Sequence, residues 1–135
     1  MTRIFSLDAC ALIAFFHGEK GGENLKELFA DSENVFYIHA INITEIYYDF
    51  LKRSSKQDAE MFLQDCKNLP VEIVWNITED ILKLASDFKT KYKISLADSY
   101  FLAITKLNSA TPISTDHHEF DIFEKNKEFQ FFWLR

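Results

Sequence analysis

Glycine and proline are scarce in this chain, three and two among 135 residues, so little material is available for long irregular loops. Cysteine is nearly absent too. Cys10 and Cys66 are expected to be reduced thiols that behave as small hydrophobes. No apolar run approaches the ~18 residues that a membrane-spanning helix needs. The first residues, Thr2-Arg3-Ile4-Phe5, carry no signal-peptide pattern, so a cytoplasmic protein without membrane contact is expected. Positive charge is also in deficit. A formal net charge of −6 argues against a protein that grips nucleic acid through a broad basic face. It does not argue against a nuclease in which a metal neutralises part of the acidity.

Apolar residues make up 47% of the chain and charged residues 27%, the balance of an ordinary globular protein. A chain of this length forms one domain over residues 1–135 and buries about two-thirds of its unfolded surface. Short β-rich runs at 4–7, 35–39, 71–75, 112–115 and 129–134 alternate with helical spacing. The helical pattern covers 9–16 and 23–30, then Ile43, Ile46, Tyr47 and Phe50, then Ala59, Phe62, Leu63 and Cys66. It returns at Ile81, Ala85, Phe88 and Tyr92, and at Ala97, Tyr100, Phe101, Ile104 and Leu107. The alternation predicts an α/β fold, a three-layer α/β/α sandwich around a mainly parallel sheet.

Four carboxylates stand out against this pattern. Asp8 closes the first strand and Asp116 closes the fourth, while Glu45 and Asp98 are expected in the first turns of helices. In an open parallel sheet, ligands bind beyond the carboxyl ends of the strands, where acids from distant parts of the chain can meet. Crowded carboxylates repel by roughly 4 kcal/mol per pair at 4 Å in an effective dielectric of about 20. A divalent cation is the usual reason for tolerating them. Each acid also has a plain structural reading. Asp8 fits an N-cap, and Asn42–Glu45, Ser95–Asp98 and Asp116–Glu119 have capping-box spacing. Capping and ligation are compatible.

Leu7-Asp8-Ala9-Cys10, Ile43-Thr44-Glu45-Ile46, Leu96-Ala97-Asp98-Ser99 and Ser114-Thr115-Asp116 stand in the order and context of a PIN domain. Across essentially the whole chain the sequence resembles the single-domain VapC-type toxins of toxin–antitoxin pairs. That resemblance implies a Mg²⁺- or Mn²⁺-dependent endoribonuclease whose catalytic set is Asp8, Glu45, Asp98 and Asp116. It also implies Asp8, Asp98 and Asp116 as the metal-binding acids, with Glu45 holding or deprotonating the attacking water. Thr115 corresponds to a hydroxyl that orients a ligand or water, and Asp121 is a candidate outer acid. The expected partners are an RNA substrate, a cognate antitoxin and a second copy of the chain. All-carboxylate sites suit hard cations.

Some residues fit less specific roles. Lys89, Lys91 and Lys93 precede Asp98 and read as a solvated helix end or a phosphate-steering patch. His117 and His118 read as a surface pair, and His17 and His39 show no partner in the sequence. Adjacent aromatics in Tyr47-Tyr48-Asp49-Phe50 cannot share one helix face, so part of that surface is expected to meet a partner. Two alternatives remain: a catalytically silent PIN-fold binding module, and a metal-dependent DNA nuclease of the flap-endonuclease type.

Overall fold

The computed structural model describes residues 2–135. The chain runs β1 (Arg3–Leu7), α1 (Ala9–Phe16), α2 (Gly22–Ala30), β2 (Asn34–His39), α3 (Ala40–Arg53), α4 (Lys56–Lys67) and β3 (Val71–Val74). It continues through α5 (Glu79–Lys91), α6 (Leu96–Leu107), β4 (Thr111–Ser114), α7 (His117–Lys125) and β5 (Phe132–Trp133). All strand pairs are parallel, in the order β3-β2-β1-β4-β5. The α/β fold with a helix-flanked parallel sheet is as the sequence predicts.

Position in the sheet accounts for the burial of the strands. Central β1 is covered on both faces, and Phe5, Ser6 and Leu7 are all buried. Edge strand β3 buries none of its residues fully. The buried Ser6 hydroxyl is satisfied by Thr105 Oγ1 of α6 at 2.6 Å. One core cluster joins β1 and β2 to α1, α3 and α4 through Phe5, Leu12, Phe36, Ile46 and Phe62. A second, nearly all aromatic, joins α5, α6 and α7 to the C-terminal segment through Phe88, Phe101, Phe120, Phe123 and Phe131.

The last strand is shorter than expected. Its pairing is confined to Ile113↔Phe132 and Ser114↔Trp133, at the end of the four-residue β4. Residues Phe129 and Phe131 go to the aromatic cluster instead. Close packing also explains two glycines. A Cβ on Gly21, which has φ +95°, would lie 2.6 Å from the Leu134 carbonyl oxygen, and one on Gly22 would lie 2.5 Å from that of Ala14.

Strand order fixes where a site can form. Successive strands leave β1 in one direction through β2 and β3, and in the other through β4 and β5. The crevice at that reversal lies beyond the carboxyl ends of β1 and β4. Asp8 and Asp116 are at those ends.

Candidate functional site

Asp8 follows β1 directly and caps α1. Its Oδ1 accepts the Ala11 backbone N–H at 2.8 Å, and its Oδ2 accepts the Ser114 hydroxyl at 2.6 Å. The pairing Leu7↔Ile113 puts the two residues opposite each other. Ser114 Oγ in turn accepts the Asp116 backbone N–H at 3.0 Å, so one buried hydroxyl ties both strand ends together. Asp116 caps α7, accepting the Glu119 N–H at 3.1 Å. Asp98 sits in the first turn of α6, where Ser95 caps the helix by accepting the Asp98 N–H at 3.0 Å.

Glu45 differs from expectation. Helix α3 begins at Ala40, so Glu45 lies in its second turn, and Asn42 is inside the helix rather than its cap. The cap is His39, whose Nδ1 accepts the Ile41 N–H at 3.0 Å while its other ring nitrogen donates to the Asn76 carbonyl at 3.0 Å. Asn42 uses its amide nitrogen on the Ala97 carbonyl (3.1 Å) and toward Glu45 Oε1 (3.4 Å).

Burial and neighbouring charge both act on these acids. Burial raises the Asp8 carboxyl to about 7 against the Ser114 and Ala11 bonds that lower it, and the charges of Asp98 and Asp116 raise it further. Burial also raises Asp98 to about 7, reinforced first by Glu45 and then by Glu119 and Asp116. The Glu45 carboxyl is raised by burial, against the Asn42 bond. Carboxylates from β1, α3, α6 and the β4–α7 turn therefore act on one another in one partly desolvated place.

Residues 6–126 match the family model of the PIN domain. This chain belongs to the PIN domain family. Solved structures similar to this PIN domain include a toxin–antitoxin complex from Klebsiella pneumoniae, at 24% identity and TM-score 0.64, covering 88% of this chain and 90% of that one. VapBC-1 from nontypeable Haemophilus influenzae aligns at 14% identity and TM-score 0.72, over 97% and 98%. VapC20 from Mycobacterium tuberculosis, a sarcin-ricin loop cleaving toxin, aligns at 15% identity and TM-score 0.66, over 84% and 90%. No curated protein matches the chain.

As they stand, no three His, Cys, Asp or Glu side chains among the described residues of the PIN domain form a group that could hold a metal ion. The donor chemistry still fits a small hard cation. Mg²⁺ keeps several waters and needs only one or two protein carboxylates, and a cation would favour the ionised form of acids that burial, and then neighbouring charge, raise.

Other expected residues fall on and off the site. The hydroxyl that binds Asp8 is that of Ser114, buried at the end of β4, while Thr115 lies just beyond the strand and is half-exposed. Glu119, which the sequence presents only as part of a capping pattern, adds its negative charge to those of Glu45 and Asp116 against Asp98. Cys10 lies among the acids, and burial and the charges of Asp8, Asp116, Asp98 and Glu45 all push its thiol upward, so it stays protonated. Asp121 pairs with His117 Nδ1 at 2.8 Å, the other His117 nitrogen meets the Arg135 carbonyl at 2.9 Å, and the ring stacks on Trp133. Of the three lysines, Lys89 donates to the Ile94 carbonyl and Lys91 pairs with Glu128. His17 lies over Phe50 and 3.8 Å from Asp49. Among the described residues no helix is long and apolar enough to cross a membrane.

Proposed function

We propose that this PIN domain is a Mg²⁺- or Mn²⁺-dependent endoribonuclease and the toxin of a toxin–antitoxin pair. The observation that carries the reading is at the sheet's switch point, where the buried Ser114 hydroxyl ties Asp8 to the start of the Asp116 turn, and where burial and then neighbouring acidic charges, Asp98 among them, raise the Asp8 carboxyl to about 7. Acids with carboxyls raised in this way at a sheet's switch point are where a ligand of opposite charge is expected to bind.

In this reading Asp8, Asp98 and Asp116 hold the cation, and Glu45 orients and deprotonates the attacking water. A bound divalent ion supplies the positive charge that acidifies that water and offsets charge on the phosphoryl group. The chain's own contribution is preorganisation. Ser114 and the Ala11 N–H fix both oxygens of Asp8, the α6 cap fixes the backbone of Asp98, and the turn of α7 fixes Asp116. Glu45 is half-buried, and burial raises its carboxyl against the Asn42 bond, the direction that makes it a better proton acceptor.

RNA as substrate and an antitoxin as partner are supported by the similar structures, among them toxin–antitoxin complexes and a toxin that cleaves the sarcin-ricin loop. An acidic pocket on a protein of charge −6 also attracts an Arg- or Lys-bearing partner segment. Incubation of purified protein with a cellular RNA pool tests the activity. Cleavage in Mg²⁺ or Mn²⁺ that stops in EDTA and in Asp8→Asn supports the reading; equal cleavage by the variant refutes the site.

A further inference from the structure

We propose that Asn42 is a positioning residue that sets the spacing between Glu45 and Asp98; the inference rests on the nuclease reading above. Asn42 is fully buried in α3. Its amide nitrogen donates to the Ala97 carbonyl of α6 at 3.1 Å and toward Glu45 Oε1 at 3.4 Å. The Ala97 carbonyl belongs to the peptide bond that leads into Asp98. One side-chain amide thus bridges the residue that bears on the attacking water and the backbone that carries a metal-binding acid.

The rest of the Asn42 environment argues against a packing role. Its Oδ1 is buried with no hydrogen-bond partner among the described residues. Leaving a buried acceptor unpaired is costly, and a leucine of similar size would fill the same space without that cost. The amide is therefore explained by its nitrogen, and both contacts of that nitrogen lie on groups that bear the site. Glu45 is also the largest charge acting on Asp98, so any change in their separation is felt directly by the metal-binding acid. A third side chain that holds two acids at a set distance is the arrangement expected around a metal, where outer partners orient the groups that bind. His39 completes the support, since it caps α3 and meets Tyr100 of α6 with ring centroids 5.1 Å apart.

The test compares wild type with Asn42→Leu and Asn42→Ala at a temperature where circular dichroism shows each folded. Cleavage of an RNA pool is measured against Mn²⁺ concentration, and the melting temperature is read with and without Mn²⁺. Expected in both variants are a cleavage rate about 10- to 100-fold lower, a higher half-saturating Mn²⁺ concentration and a smaller Mn²⁺-induced melting shift. The KM for RNA should stay within about twofold, because Asn42 is buried away from a polymer substrate. A folded variant with lower stability but wild-type rate and wild-type Mn²⁺ dependence would overturn the proposal and leave the nuclease reading intact. Wild-type protein that neither cleaves RNA nor responds to Mn²⁺ would remove both. Should neither variant fold, the side-chain amide resonances of Asn42 in wild type provide the test. Their movement during a Mg²⁺ titration supports the role, and their constancy beside a melting shift contradicts it.

Discussion

Single carboxylates decide the pH behaviour of this protein. Asp8 and Asp98 have carboxyls near 7 in the folded chain against an ordinary value of 3.8. An acid raised in this way favours folding most below its unfolded value and loses that contribution as pH climbs from about 4 through 7. Metal-free Asp98→Asn should therefore gain on wild type as pH rises. The expected gain is about 0.5–2 kcal/mol at pH 8, discounted for the partial exposure of Asp98, and it should fade near pH 4. Denaturant melts in EDTA across that range check it; a constant difference would show that no repulsion is relieved. Ser114→Ala should act in the opposite direction on function. The Ser114 hydroxyl stabilises ionised Asp8, so its loss should shift the pH for half-maximal cleavage upward and cost about 1–3 kcal/mol of stability. Ser114-Thr115 offers two hydroxyls in the sequence, and only the register Leu7↔Ile113 shows which one meets Asp8.

Helix ends set the site at the next scale. Three of the four acids sit at helix starts, where Ser95, Asp8 and Asp116 provide caps with the residue types that sequence patterns recognise. Helix α3 starts three residues earlier than the Asn42 capping pattern implies because its cap is an imidazole. His39 keeps its ring neutral to accept the Ile41 N–H, and burial lowers its pKa accordingly. That contribution is present above the ordinary histidine value of 6.5 and is lost as pH falls below it. His39→Ala should cost about 1 kcal/mol, and His39→Asn should recover most of it, since asparagine is a strong N-cap. Thermal melts at pH 8 decide between a cap and a mere packing group. Packing also corrects one expectation about surface aromatics. Phe50 stacks on Phe62 with centroids 5.3 Å apart, so it belongs to the core, and Phe50→Asp would damage the fold itself. Tyr48, 60% exposed, remains open to a partner.

Taken whole, the molecule is a parallel sheet whose strand order places a cluster of acids at one edge. The alternation of apolar runs made that architecture legible, because parallel strands buried on both faces read as continuous apolar stretches. What the runs do not show is which acids come near each other: Ser114 ties Asp8 to the Asp116 turn across β1 and β4, and Asn42 of α3 reaches the Ala97 carbonyl that leads into Asp98 of α6. The exposed side chains Tyr48, Met61 and Trp75 suit the expected dimer and antitoxin contacts. Light scattering of purified protein should give a mass twice the 15.9 kDa of the chain. Tyr48→Asp should weaken capture of the protein encoded beside this chain without lowering the melting temperature; undiminished capture would place that interface elsewhere.

The claim on which the account depends is that these carboxylates hold a divalent cation. Crystals grown with Mn²⁺ test it through anomalous scattering. A peak is expected in the crevice beyond β1 and β4, at coordination distance from oxygens of Asp8 and of Asp98 or Asp116, and absent in Asp8→Asn crystals. A fully ordered site with no peak there, or with manganese bound only elsewhere on the surface, would contradict it.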